Sequence, residues 1–233
     1  EFFTKEDLIA DTPAFLYRYV DLSPLFAQIA AYYVPLTWLH DAFNEMPYLR
    51  LRGEYGTGKT RGLMAIGSLC YKAFFASGAS TTSPIFHTLD SFGGTLIFDE
   101  ADLPYSDARA DIVKLQREGK LDKVAELQYG KFNPYAFKVF GPKIIAMRGS
   151  FDDRALESRF LTEETGRRPL RAGIPIQLPG EMKTEARELR NRLLHFRFCN
   201  LLKIKADPAA LMEGVEPRLN QTALPLLSLV DDI

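Results

Sequence analysis

The spacing of apolar residues along the chain sorts it into short strands and amphipathic helices. Tyr48-Leu49-Arg50-Leu51-Arg52 alternates apolar and polar positions as a strand does. Arg61 to Tyr71 then carries Leu63, Met64, Ile66, Gly67 and Cys70 at helical spacing. Tyr71 to Ser77 reads as a short strand, residues 78–83 as a polar turn, and Pro84 to Leu89 as a helix. Gly93-Gly94 precedes an apolar run, Thr95-Leu96-Ile97-Phe98, that ends in two carboxylates, Asp99 and Glu100. Asp107 to Arg117 is amphipathic, with Ile112, Val113 and Leu115 on one side. Lys123 to Tyr129 and Tyr135 to Phe140 alternate, and the turn-type residues 130–134 between them predict a β-hairpin. Lys143 to Arg148 is a buried strand, Asp153 to Ser158 a short helix, and Arg159 to Thr162 a further strand. Strand and helix in repeated succession predict an α/β domain with a parallel sheet.

The flanks read differently. Residues 1–20 mix acidic, aromatic and proline positions, as an arm leading into the domain would. Ser23-Pro24 looks like a helix cap followed by proline in the first turn, with a helix from Leu25 to Tyr33 that Pro35 breaks or kinks before Leu36 to Phe43. Its aromatics, Tyr32, Tyr33 and Trp38 among them, suit a core, with an adenine pocket as the alternative. Residues 165–180 are rich in Gly and Pro and read as a linker. Glu181 to Phe198 is a strongly charged helix, expected to be a solvated face or an interaction surface, and Leu211 to Val230 a last helix. The organisation expected is an arm (1–20), a core (21–165) and a helical lid (166–233).

Between the first strand and the first helix of the core lies Gly53-Glu54-Tyr55-Gly56-Thr57-Gly58-Lys59-Thr60, the full G-x-x-x-x-G-K-[ST] pattern of a phosphate-binding loop. Chance assembles such a match in roughly one chain in a hundred of this size, and the strand–loop–helix setting lowers that further. In this setting unpaired backbone N–H groups and the positive end of a helix dipole face an anion. Glycines 53, 56 and 58 let the backbone wrap phosphates. Lys59 is expected on the β- and γ-phosphates of ATP and Thr60 on Mg²⁺, with Arg61 closing the nucleotide-binding set. Asp99 is the second candidate Mg²⁺ holder, and Glu100 the candidate base that polarises the attacking water.

Composition narrows the partners. The 46% hydrophobic and 25% charged fractions are those of an ordinary globular chain. A net charge of −1 confines any nucleic-acid contact to a local basic patch. Two cysteines make no disulfide frame, and three scattered histidines make no zinc site. No run approaches a membrane span and no signal peptide opens the chain, so a cytoplasmic protein is expected. The chain begins without methionine and reads as a piece of a longer protein.

The phosphate loop, the apolar-Asp-Glu strand, the hairpin before the next strand, the Ser-Arg-Phe after it and the helical tail together resemble an AAA+ ATPase. The likeness is to the minichromosome-maintenance-like helicases and to helicase or primase-helicase proteins of bacterial mobile elements, over residues 21–233. Ala155-Leu156-Glu157-Ser158-Arg159-Phe160 resembles the family's arginine-finger segment, which implies that Arg159 enters the neighbouring subunit's ATP site and that the protein forms a ring, a hexamer by family expectation. Glu216-Pro217-Arg218-Leu219 resembles the segment carrying the second sensor, making Arg218 a candidate γ-phosphate contact. The hairpin resembles the one that points a lysine into the central pore, hence Lys131, with Phe132 beside it, as DNA contacts. The family's first sensor is usually asparagine; here that position is Arg148, which can donate to a phosphate but adds charge, and plain surface or interface pairing is the alternative for Arg148 and Arg154.

The resemblance implies an ATP-driven motor acting on single-stranded DNA or a DNA fork. An AAA+ DNA-binding switch or loader, or a protein-remodelling ATPase, is the alternative. The remodelling reading lacks an aromatic in residues 77–83, where such rings grip polypeptide. Asp99-Glu100-Ala101-Asp102 spells the motif of two-lobed RNA helicases, but the chain has room for one lobe only.

Overall fold

Leu8, Thr12, Phe15, Leu16 and Tyr19 recur every three or four residues, and all five are buried on one face of α1 (Lys5–Tyr19). A capping box starts this helix: Asp7 N–H donates to Thr4 Oγ1 at 3.2 Å, and Thr4 N–H to Asp7 Oδ2 at 2.8 Å. The expected arm is therefore a packed helix. The computed structural model describes residues 4–77, 82–99, 122–128 and 131–230.

α2 (Pro24–Leu39) is capped by Ser23, whose Oγ accepts from Phe26 N–H at 3.2 Å. It runs through Pro35 without ending there. Proline forfeits one backbone bond, but Ala30, Ala31, Tyr33, Val34, Leu36 and Leu39 around it are all almost wholly buried, and that burial outweighs the loss. Tyr33 and Trp38 are core residues: Tyr33 OH donates to Lys143 O at 3.1 Å, and Trp38 Nε1 to Leu69 O at 2.9 Å. The adenine-pocket alternative for these rings falls away.

Five strands, β1 (Tyr48–Arg52), β2 (Phe74–Ser77), β3 (Leu96–Asp99), β6 (Lys143–Met147) and β7 (Phe160–Glu164), form a parallel sheet in the order β2-β3-β6-β1-β7. Side chains alternate between two cores. Leu49, Leu51, Ile97, Ile144 and Ala146 point to one face, against α1, α2 and α3 (Lys59–Gly67). Leu96, Phe98, Ile145 and Met147 point to the other, against Ile85, Phe86 and Leu89 of α4 (Thr82–Phe92) and Leu156 of α5 (Arg154–Glu157). The chain is thus an α/β protein with a parallel sheet and helices on both faces, compatible with phosphate-loop architectures.

The hairpin is present but its register differs from expectation. β4 (Asp122–Gln128) and β5 (Lys131–Phe137) pair antiparallel, with Gln128 opposite Lys131 and Ala125 opposite Pro134. The backbone of Lys131 and Phe132 is ladder, not loop. Pro134 does not end the strand, because an edge position tolerates a missing N–H. The foot of the hairpin is fastened to α4: Lys138 N–H donates to Asp90 Oδ1 at 2.8 Å, and the Phe137 ring lies 4.8 Å from that of His87. The helix expected at residues 107–117 lies outside the described residues.

The charged helix is α6 (Glu181–Asn200); Arg187 is exposed, but Arg190, Arg192 and Arg197 are anchors rather than solvated charge. Arg190 donates to Ser68 O at 2.6 Å, Arg192 pairs with Asp11, and Arg197 makes two bonds to Asp41 at 2.7 and 2.5 Å. Met182, Ala186, Leu189, Leu193 and Phe196 join the same core as Leu8 and Phe15. α7 (Pro217–Val230) follows, with Leu229 in that core. Among the described residues no helix is long and apolar enough to cross a membrane.

Candidate nucleotide-binding site

β1 delivers the chain to Gly53 at the C-terminal edge of the sheet, and α3 departs at Lys59. The loop between them turns through Gly56 (φ 74°) and Gly58 (φ 90°), left-handed conformations that favour glycine. Gly58 caps α3 and brings no side chain to its first N–H groups, so these face the loop's concavity. Gly53 is glycine for a different reason than wrapping a phosphate. A Cβ there would collide with the hydroxyl and carbonyl of Thr165.

Within this loop Lys59 folds back, its Nζ donating to the carbonyls of Gly53 at 2.6 Å and Glu54 at 2.7 Å. Thr57 Oγ1 donates to Glu54 O at 2.8 Å and lies 2.8 Å from Thr165 Oγ1. Thr165 closes the other side, its N–H donating to Arg52 O at 2.7 Å. Thr60 Oγ1 donates to Asp99 Oδ2 at 2.7 Å, so the fold brings the loop's hydroxyl to the carboxylate that ends β3. The strand between them in the sheet is β6, one place from each.

A hydroxyl beside a carboxylate is a hard-oxygen pair of the kind Mg²⁺ uses when phosphates and waters complete its shell. Among the described residues no cluster of three or more His, Cys, Asp or Glu side chains offers an all-protein metal cage. Thr60 and Asp99 thus offer two protein oxygens, a set that Mg²⁺ would complete with ligands from outside the protein.

Beside the loop opens a cavity of about 450 Å³, lined by Gly56, Thr57, Gly58 and Arg61 on one side and by residues of 163–176 on the other. Leu170, Ile174, Pro175 and Ile176 supply an apolar wall. This wall is the segment expected as a linker. Arg61 helps hold it, donating to Tyr19 O at 3.1 Å and to Ile176 O at 2.5 Å. Arg61 is thus occupied by backbone at the cavity's edge. Glu163, 4% exposed, accepts from Ser23 N–H and Oγ at 2.7 and 2.6 Å and from Arg168 at 3.4 Å. Sequence reasoning missed Thr165, Glu163 and the apolar wall, because a Gly/Pro-rich stretch has no period to read. The Glu-Glu pair closing β7 was the available signal.

The remaining candidates divide by location. Arg148, next to the end of β6, stacks its guanidinium 4.5 Å from the exposed Tyr55 ring of the loop, so it does stand at the site. Arg159 stands at the other end of the sheet: its carbonyl accepts from Tyr48 N–H at 2.9 Å, where β1 begins. About 16 Å of strand, at about 3.3 Å per residue, separates it from the loop of its own chain. The residue is half-buried, and its side chain makes no hydrogen bond, ion pair or ring contact among the described residues. Arg218 opens α7 three residues before Gln221, whose side chain donates to Glu45 at 2.9 Å, ahead of β1. It is not among the residues that line the cavity beside the loop. Glu100 lies outside the described residues, and so does whatever the Lys131 and Phe132 side chains reach.

No model of a known protein family matches the chain, and a search of curated proteins returns no match.

Proposed function

We propose that this chain is the ATP-hydrolysing motor domain of a ring-forming DNA helicase or translocase of the AAA+ type, serving the replication of a bacterial mobile element. The observation that carries the ATPase reading is the 2.7 Å contact between Thr60 and Asp99, at the mouth of a loop whose lysine is already curled over it. The helicase and mobile-element parts are supported by the resemblance of the hairpin and of the Arg159 segment.

On this reading the loop's N–H groups hold the phosphates, and Lys59 exchanges the Gly53 and Glu54 carbonyls for phosphate oxygens. Thr60 and Asp99 hold Mg²⁺, which when bound neutralises phosphate charge. Glu100 orients water, and the apolar wall at 170–176 receives the nucleobase and excludes solvent from it. Arg148, stacked on Tyr55, stands where it can donate to the γ-phosphate. Arg159, at the opposite end of β1 from its own loop, serves the site of an adjacent copy, where a guanidinium stabilises charge on the phosphoryl group in transfer.

The test is ATP turnover with and without single-stranded DNA, followed by strand displacement on a forked duplex. Lys59-dependent turnover that single-stranded DNA stimulates, with displacement, is the expected result. DNA-stimulated turnover without displacement would move the assignment to a DNA-binding switch or loader. No turnover would overturn the ATPase reading.

A further inference from the structure

β1 does more than lead into the phosphate loop. Its two arginines reach out of the sheet to the segment between β6 and β7 that carries Arg159. Arg50 is 3% exposed. Its Nη1 and Nη2 donate to Glu157 Oε2 and Oε1 at 2.7 and 2.5 Å, and its Nε donates to Thr162 Oγ1 at 3.0 Å. The same guanidinium lies 5.2 Å from the Phe160 ring centroid. Glu157 also accepts from Phe151 N–H at 3.1 Å. Arg52, on the same face, donates to Ser150 Oγ at 2.5 Å and to Glu164 Oε1 at 2.7 Å.

Burial pushes the Glu157 carboxyl upward, but the hydrogen bonds from Arg50 and from Phe151 N–H outweigh it and hold the group below the usual carboxylate range. The Glu157 carboxylate is therefore ionised at neutral pH. Such a pair is a poor device for stability alone, since apolar side chains of similar volume often serve as well. What a two-pronged guanidinium–carboxylate contact provides is fixed geometry. Glu157 lies two residues before Arg159, and the turn between them is stiff: Arg159 N–H donates to Leu156 O at 3.0 Å and Ser158 Oγ to Ala155 O at 3.1 Å. Any rotation of the one-turn helix α5 is passed on to Arg159.

We infer that the Arg50–Glu157 pair is a positioning device that locks the orientation of Arg159 to the strand bearing the phosphate loop. It sets turnover in the neighbouring copy's site and leaves the nucleotide affinity of its own copy alone. The inference rests on the reading of Arg159 as a finger acting between copies.

The experiment uses the full chain with Glu157→Gln and with the apolar double variant Arg50→Met/Glu157→Leu. The double variant avoids a buried unpaired charge if the single one folds poorly. Affinity for a fluorescent ATP analogue, kcat and KM are measured for each. Both variants are expected to bind within about threefold of wild type and to lose kcat by about 10- to 100-fold, the scale of an ångström-level misplacement. Adding Lys59→Ala subunits, which hold Arg159 correctly and need no nucleotide, should raise turnover per Glu157→Gln subunit. A double variant with near-wild-type kcat overturns the inference, as does a loss of kcat that tracks affinity or that mixing leaves unchanged. If wild type shows no Lys59-dependent turnover, the ATPase reading falls and takes this inference with it. If wild type is active, only the Glu157 results decide.

Discussion

The two ends of β1 are built on opposite terms. At its C-terminal end the polar groups are paired within the chain: Lys59 with the loop carbonyls, Thr60 with Asp99, Thr57 with Thr165. At its N-terminal end Arg159 holds a guanidinium that no described residue pairs. The first end is thus a loop whose polar groups are satisfied locally, and the second carries a guanidinium without a partner among the described residues. On the proposed reading, one protomer binds its substrate alone and completes the chemistry only beside another.

The largest effect should come from the paired end. Lys59→Ala removes the only ammonium in the loop and should abolish nucleotide binding or turnover, measured as ATP hydrolysis and as retention of a fluorescent analogue. Glu100→Gln, one residue beyond Asp99, should separate the two, binding ATP while failing to hydrolyse it. A Glu100→Gln protein that turns over normally would remove that carboxylate from the base role.

Next is the unpaired end. Arg159→Ala should leave binding intact and lower kcat by about 10³-fold or more, the scale reported for arginine fingers in phosphate-loop enzymes. Each of Arg159→Ala and Lys59→Ala should be inactive alone, and mixing them should restore part of the turnover, since one supplies the cradle and the other the guanidinium. If mixing restores nothing, the contrast between the two ends has a different cause.

How far each end was legible follows from the same contrast. The cradle is local in sequence, eight consecutive residues with a strand before and a helix after, so its pattern survives without a structure. Asp99 was placed by an apolar run ending in acid, and the parallel sheet by alternation of strand and helix. What stayed hidden was set by tertiary contact. Arg50 and Arg52 read only as the polar positions of a strand, yet Arg50 is buried because Glu157, more than a hundred residues on, neutralises it. The arginines of α6 read as solvated, yet Arg190, Arg192 and Arg197 find Ser68, Asp11 and Asp41. The first twenty residues read as an arm because Pro13 and the acidic positions obscured the spacing of Leu8, Phe15, Leu16 and Tyr19. Residues 170–176 have no period at all, and only the fold turns them into a wall.

The smallest effect concerns acid, and it should strike the N-terminal end of β1 without touching the cradle. His40, 6% exposed in the turn before β1, has its Nδ1 2.9 Å from Thr37 O. Burial pulls its pKa below the ordinary 6.5, against the Thr37 carbonyl and Asp41, which raise it, and with Arg197 and Lys143, which lower it. A histidine depressed in the folded state contributes stability that is intact above 6.5 and lost as pH falls toward the folded value, because the unfolded chain takes up the proton first. Asp41 and Glu157, whose ordinary values are 3.8 and 4.5 and which the fold also lowers, titrate below that window. The thermal midpoint should therefore fall between pH 7.5 and 5.5, and His40→Gln should flatten that fall. Nucleotide affinity, followed over the same range in both proteins, should show no difference between them. An equal fall in the His40→Gln protein would assign the acid response elsewhere, and a change in affinity that followed His40 would mean that the two ends of the strand are not independent.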